Sequence, residues 1–306
     1  MSAQRLASSP GAIALISRGA LAIVGSSVDE ALALLADRGW RITETVVTSR
    51  QQVAELAESA AVSGRDAVVA IGGDGTFAAV AGALRGRDTV LVPLPAGTAN
   101  GWAREMGIPR DPRRAAARLL GGAIRRVDVG VVRASNGEHA FLATAGVGYD
   151  AAVVAGTSRA LKRWLSVGAY GVAAIRLWPG YQGSAFEVRG EGVHINTRAL
   201  LVSIGNTRAY GGLLTMLPEA DNTDGLLDVC IFLGTDWPAR FGHLARVFAR
   251  RHIGSPAVRF LRLPALEIDA TPPQPVQADG DHVASTPVAF TCHHQAVRVL
   301  LPAASV

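Results

Sequence analysis

Ala67-Val68-Val69-Ala70-Ile71-Gly72-Gly73-Asp74-Gly75-Thr76 is the stretch from which the fold of this chain is read. The uncharged, β-favouring run between Asp66 and Gly72 has the pattern of a strand covered on both faces, as in a parallel sheet. It empties into a turn with glycines at 72, 73 and 75, after which the pattern predicts a helix from Phe77 to Leu84. Such glycines let the backbone adopt positive φ and bring N–H groups, with Thr76, close to a polyphosphate with no Cβ in the way. A following helix N-terminus adds partial positive charge. Asp74 is the odd member: a carboxylate beside phosphates is repulsive unless it takes a proton from an acceptor hydroxyl or works through Mg²⁺. Alone, Gly-Gly-Asp-Gly reads equally as a tight turn with a solvated acid.

A second turn weighs toward the phosphate reading. Thr89-Val90-Leu91-Val92-Pro93-Leu94 is another apolar strand-like run, and it delivers Pro95-Ala96-Gly97-Thr98-Ala99-Asn100-Gly101-Trp102-Ala103-Arg104. In open α/β sheets ligands sit beyond the carboxyl ends of the strands, where successive turns of this kind converge. Gly97, Thr98 and Asn100 suit phosphate or ribose contacts, and Arg104 lies one helical turn beyond Asn100. The plainer roles are a helix N-cap for Thr98 and a turn residue for Asn100.

Working outward, strands near 12–17, 41–47, 66–71 and 89–94 alternate with helices. Ser27-x-x-Glu30 reads as a capping box opening a helix from Asp29 to Arg38 that ends at Gly39. Ser49-x-x-Gln52 opens another, which stops near Gly64. Asp111-Pro112 reads as an N-cap with proline at the first helical position, and that helix runs to Leu120 before Gly121-Gly122. The alternation predicts a doubly wound α/β domain over 1–122. From Ile124 short strand-like runs dominate, at 124–132, 139–145, 184–190, 199–204, 226–233, 265–270 and 287–291, with helices near 158–177 and 237–251. A β-rich second domain is expected over 123–295.

The two turns together resemble the diacylglycerol kinase catalytic-domain family of lipid kinases, which includes sphingosine kinases and many bacterial members. Ala145-Gly146-Val147-Gly148-Tyr149-Asp150-Ala151 is similar to the family's second glycine-rich segment. Asn206-Thr207-Arg208-Ala209-Tyr210-Gly211-Gly212 resembles its N-x-x-x-Y-G-G signature, and Pro218 to Val229 its P-x-A-x-x-x-D-G-L-L-D-V signature. Gln277-Ala278-Asp279-Gly280-Asp281 matches its Q-x-D-G-E. The resemblance implies an NAD kinase-like α/β domain and a β-sandwich, with the active site in the cleft between them and the strand about 296–306 returning to the first domain. It implies phosphoryl transfer from ATP to a lipid hydroxyl, with Mg²⁺ bridging the triphosphate. Gly72, Gly73, Gly75, Thr76, Gly97, Thr98 and Asn100 would then hold the nucleotide, while Arg104 and Lys162 offset charge on the transferring group. Asp74 and Asp281 are both candidates for the base. Asp281 stands where the family has glutamate, one methylene shorter, which displaces the carboxylate by about 1.5 Å and costs roughly 10²-fold if geometry is critical. The resemblance also places a structural Mg²⁺ on Asp221, Asp224 and the carbonyl of Leu226. The family's N-P-x-S-G turn after the first strand is replaced by Ser17-Arg18-Gly19-Ala20.

Composition bounds the alternatives. The 306 residues are 49% hydrophobic and 18% charged, which excludes a disordered chain and suffices for two cores. No apolar run approaches the ~18–20 residues of a membrane span, and the expectation is a cytoplasmic protein acting at the inner face of the membrane. Cys230 and Cys292 fall in strand-like runs and read as buried thiols, and the seven His lack ligand spacing. The net charge is +5, and Lys162 is the one lysine, so the basic side is arginine. An arginine-rich surface suits transient docking on anionic lipid. Nucleic acid is not expected, since no stacking platform accompanies the charge and aromatics are only 6% of the chain. The sequence does not fix the oligomeric state, and a homodimer is compatible with it. An NAD kinase-like soluble-acceptor enzyme, sharing the Gly-Gly-Asp-Gly turn, and a non-catalytic lipid or nucleotide sensor are the alternative readings.

Overall fold

The computed structural model describes residues 6, 9–156, 180–210 and 214–303. The chain divides into two compact units, Met1–Val129 with His294–Val306, and Gly130–His293.

In the first unit β1 (Gly11–Ser17), β2 (Arg41–Val47), β3 (Ala67–Gly72) and β4 (Val90–Pro95) form a parallel sheet in the order β2–β1–β3–β4. The last part of β17 (Val288–Leu301) extends it, pairing parallel to β4 with Arg298 opposite Val90 and Val299 opposite Leu91. Every residue of β3 and β4 is buried, whereas β2, at the sheet edge, is largely exposed. Helices α1 (Arg18–Asp37), α2 (Arg50–Val62), α3 (Asp74–Ala83), α4 (Gly101–Glu105) and α5 (Pro112–Leu120) alternate with the strands. This is the doubly wound layer expected from continuous apolar runs.

Two helix starts differ from the sequence reading. The first helix begins directly after β1, where Ser17 caps it by accepting the Ala20 N–H at 3.3 Å, and it bends at Val24 (φ −140°, ψ 34°). Its apolar periodicity extends upstream through Ala20 to Val24, so Ser27 lies inside the helix and caps nothing there. The Ser27 hydroxyl instead donates to Asp111 Oδ2 at 2.6 Å, while Asp111 Oδ1 accepts the Arg114 N–H at 2.9 Å and caps α5. Among the described residues α1 is the one helix long and apolar enough to cross a membrane, yet Val28, Ala31, Leu32 and Leu35 are buried in the first unit. The second difference is α3, which begins at Asp74 rather than Phe77.

The second unit is antiparallel. It contains β6 (Gly137–Phe141), β7 (Thr144–Gly148), β8 (Ser184–Gly190), β9 (Val193–Gly205), β10 (Ala209–Tyr210), β11 (Leu214–Thr215), β12 (Leu227–Leu233), β13 (Val258–Leu263), β14 (Ala265–Thr271), β15 (Pro275–Ala278), β16 (Asp281–Ser285) and the start of β17. β5 (Ala123–Ala134), like β17, runs from one unit into the other, so both divisions fall inside strands, and Gly121-Gly122 closes α5. β9 is central: its first half alternates half-buried and exposed residues against β8, and its buried second half pairs β7 and β12. One core contains Phe141, Phe186, Ile204, Ile231 and Phe290. A second, with Tyr149, Leu217, Phe232 and Val247, lies under α6 (Tyr149–Gly156) and α7 (Trp237–Phe248). Helix α6 was not anticipated; the helix expected over 158–177 lies outside the described residues.

Candidate active site

The sequence folds two turns onto each other at the carboxyl edge of β3 and β4. Gly72 is in register with Pro95, and the Ala96 N–H donates to the Gly72 carbonyl at 2.7 Å. A Cβ on Gly97 would stand 2.6 Å from Gly73 Cα, and one on Gly72 would stand 2.4 Å from Thr76 Oγ1. Glycine at 72 and 97 is therefore required by the packing of the turns themselves. Gly73 differs: a Cβ there would meet ordinary contacts at 3.5 and 3.8 Å, and its backbone (φ −101°, ψ −175°) is extended. The folded chain alone does not demand glycine at 73.

Asn100 closes the second turn. It sits in the left-handed region (φ 50°), where asparagine is tolerated, and its amide is paired within its own turn. Oδ1 accepts the Gly97 N–H at 3.2 Å and Nδ2 donates to the Gly97 carbonyl at 2.8 Å. Asp74 joins the two turns. Its Oδ2 accepts the Gly101 N–H at 2.8 Å and its Oδ1 the Trp102 N–H at 3.2 Å, so the carboxylate caps α4. Burial raises its pKa, and the N–H groups of Gly101, Trp102 and Ala103 oppose that. Trp102, fully buried beside Phe77 with ring centroids 6.1 Å apart, anchors α4. Thr98 and the Arg104 side chain are exposed. The first N–H groups of α3 lack intrahelical carbonyls and are the donors this unit offers to an anion.

The remaining expected residues belong to the second unit, except Lys162, which lies outside the described residues. Asp281 opens β16 after a tight turn in which Asp279 (φ 49°) and Gly280 (φ 80°) are left-handed. The Asp279 carboxylate accepts the N–H groups of Leu142, Ala143 and Thr144 at 2.8, 3.0 and 3.0 Å. Gln277 Oε1 accepts the Gly280 N–H at 2.9 Å, and its Nε2 donates to Tyr210 Oη at 3.2 Å and Asp150 Oδ2 at 3.3 Å. Tyr210 also donates to Asp150 Oδ2, at 2.6 Å. Burial raises the Asp150 pKa, against lowering by Tyr210. Asp150, Tyr210, Gln277 and Asp279 thus hold the Asp281 turn. Reading by motif quoted them without roles, and the positive-φ Asp-Gly pair was the signal available.

In the acidic loop, Asp221 Oδ1 accepts the Thr223 N–H and hydroxyl at 3.0 and 2.7 Å. Asp224 Oδ1 accepts the Leu226 N–H at 2.9 Å, and Asp224 Oδ2 pairs with Arg262. No group of three or more His, Cys, Asp or Glu suited to a metal occurs among the described residues. Asp228 is fully buried, no hydrogen-bond donor reaches either of its oxygens among the described residues, and Arg262 Nε stands at 3.6 Å. Its pKa is pushed up to about 6, first by burial, then by Asp224, Glu219 and Asp221 against the pull of Arg262. The loop therefore carries hard oxygen donors and an excess of negative charge, a donor set that fits Mg²⁺ in kind.

Residues 23–132 match the family model described as the diacylglycerol kinase catalytic domain, and residues 143–301 match the YegS C-terminal NAD kinase beta sandwich-like domain. A Pseudomonas putida protein named "Probable lipid kinase YegS-like" is 33% identical over 92% of this chain and 92% of its own length. A Mycobacterium tuberculosis protein named diacylglycerol kinase is 31% identical over 89% of this chain and 88% of its own. Two crystal structures from Bacillus anthracis share the fold. One covers 100% of this chain and 99% of that chain at 19% identity and a TM-score of 0.80. The other, described as a diacylglycerol kinase, covers 97% and 98% at 17% identity and a TM-score of 0.69.

Proposed function

The chain belongs to the diacylglycerol kinase catalytic-domain family, and from that premise we propose that it is a lipid kinase that moves the γ-phosphate of ATP to the hydroxyl of diacylglycerol or a related long-chain lipid. The observation that carries the reading is the pair of glycine turns locked together by Asp74 at the carboxyl edge of β3 and β4. Phosphoryl transfer asks the protein mainly for alignment and charge neutralisation. Gly72, Gly73, Gly75, Thr76 and Gly97 form the cradle, and Gly73, which projects no Cβ, lets a phosphate approach its N–H. Thr98 and Arg104, both exposed, offer a hydroxyl and a guanidinium to the same ligand. Lys162 is proposed as a second cation on sequence grounds alone.

Both Asp74 oxygens are engaged by the N–H groups of α4, which suits a positioning role. Asp281 is the proposed base, taking the proton of the lipid hydroxyl, with its turn held by Asp279 and Gln277. Asp221, Asp224 and the Leu226 carbonyl are the proposed Mg²⁺ ligands of the acidic loop, since together they supply hard oxygen donors. At the nucleotide, Mg²⁺ supplies neutralisation of phosphate charge. Action on a lipid implies transient contact with a membrane from the cytoplasmic side.

The test is transfer of labelled γ-phosphate from MgATP to detergent-dispersed diacylglycerol, monoacylglycerol, sphingosine, ceramide and phosphatidylglycerol, with NAD beside them. A labelled lipid, lost in Asp281→Asn, is expected. Labelled NAD would move the chain to the soluble-acceptor enzymes, and MgATP binding with no product from any acceptor would favour a sensor.

A further inference from the structure

Helix α7 presents an apolar stripe to the outside. Trp237, Phe241, Leu244 and Phe248 are 47, 58, 44 and 66% exposed, and they hold four of the seven exposed large hydrophobic positions among the described residues. Their spacing of i, i+4, i+7 and i+11 puts them on one side of the helix. Arg240, His243 and Val247 take the inward side, where Phe232 meets the His243 ring edge-on at 5.2 Å. The stripe is built rigidly. Trp237 and Phe241 stack with centroids 6.0 Å apart, and the Arg240 guanidinium lies 5.5 Å from the Trp237 ring centre. Arg240 is itself pinned by donating Nε to the Thr235 carbonyl at 2.8 Å and Nη2 to that of Tyr181.

Charge identifies the occupant. From Trp237 to Arg251 there are four arginines and no acid, and Arg250 and Arg251, directly beyond Phe248, are exposed. A helix of 12 residues is about 18 Å long, too short to cross a bilayer and suited to lying in its interface. Aromatic rings settle at the headgroup level, and basic side chains at the end of the stripe meet anionic lipid.

We propose that the outer face of α7, carrying Trp237, Phe241, Leu244 and Phe248 with Arg250 and Arg251 at its end, seats this protein on an anionic phospholipid bilayer. The proposal rests on the lipid-kinase reading for its biological sense, but its test does not use turnover. Co-sedimentation of the full chain, without nucleotide, is measured on vesicles of mixed phosphatidylglycerol and phosphatidylcholine and on phosphatidylcholine alone. The variant Trp237→Ser/Phe241→Ser/Phe248→Ser is expected to weaken partitioning at least about tenfold, equivalent to about 1.4 kcal/mol, with its melting temperature retained. A second variant, Arg250→Gln/Arg251→Gln, is expected to weaken binding to the anionic vesicles alone. Wild-type partitioning by the serine variant, or equal binding of the wild type to both vesicles, overturns the proposal. So does a dimer that the serine substitutions split while vesicle affinity holds, since a second copy would then cover the face. Vesicle binding by a protein that phosphorylates no lipid would defeat the kinase reading and leave this one standing.

Discussion

Replacing Gly73 and Gly97 separately by alanine divides what the fold requires from what a ligand requires. At Gly97 the new methyl would stand 2.6 Å from Gly73 Cα and 2.9 Å from Asn100 Oδ1, so backbone must move. Overpacking of this kind costs about 1–3 kcal/mol, and a unit of this size loses roughly 2–4 °C of melting temperature per kcal/mol. At Gly73 the contacts are 3.5 and 3.8 Å and the backbone is extended, so no clash arises. Alanine gains about 0.4–1 kcal/mol by restricting the unfolded chain and loses a similar amount as a poorer N-cap, so stability stays within about 0.5 kcal/mol. If phosphate lies against the Gly73 N–H, the methyl intrudes on a charge-assisted hydrogen bond of about 1.5–3 kcal/mol, and affinity falls at least about tenfold. Thermal unfolding and calorimetric titration with MgATP measure the two quantities on the same samples. Unaltered nucleotide affinity in Gly73→Ala would refute the cradle, and an unaltered melting temperature in Gly97→Ala would refute the packing of the turns.

Asp74→Asn should remove transfer and also cost about 1–3 kcal/mol, because an amide N–H₂ would face the Gly101 or Trp102 N–H that the carboxylate now accepts; an unchanged melting temperature would contradict the α4 cap. Asp279→Ala should cost about 3 kcal/mol through three unpaired backbone N–H groups, with Asp279→Asn intermediate, both read by denaturant unfolding. Asp111 has its pKa held below the ordinary 3.8, first by the Ser27 hydroxyl and then by the Arg114 N–H. Its folded pKa is depressed, so this stability is present above 3.8 and is lost as pH falls through the folded value. Ser27→Ala should therefore cost about 1 kcal/mol at neutral pH. The deficit should shrink in acid, and one that grows in acid would refute the linkage.

Much of the first unit was legible because its strands are covered on both faces, and that burial writes itself as uninterrupted apolar runs in β3 and β4. Glycine at 72 and 97 and asparagine at 100 were legible as turn residues because each meets a local demand, a close approach or a left-handed φ. Ser27 was misread because a capping box is a local pattern, whereas its partner Asp111 is 84 residues away. Asp74 showed its charge in the sequence but not its hydrogen bonds to Gly101 and Trp102. The Asp279 bonds to residues 142–144 and the Asp150–Tyr210–Gln277 contacts were illegible for the same reason, being made across strands distant in the chain. The α7 stripe has the spacing of a core helix, and only its exposure in the folded chain distinguishes it.

The pairing of β17 with β4 also sets a timetable for synthesis. When β4 leaves the ribosome, one of its flanks has β3 to receive it, while the segment for the other, at 298 and 299, is still about 200 residues from being made. At roughly 5–20 residues per second that interval lasts on the order of 10–40 s. Throughout it the nascent sheet shows an apolar edge with open N–H and C=O groups, a template for another chain. Pairing between chains on crowded polysomes is the misassembly this edge invites, and the parallel sheet is completed only after the sandwich has been translated.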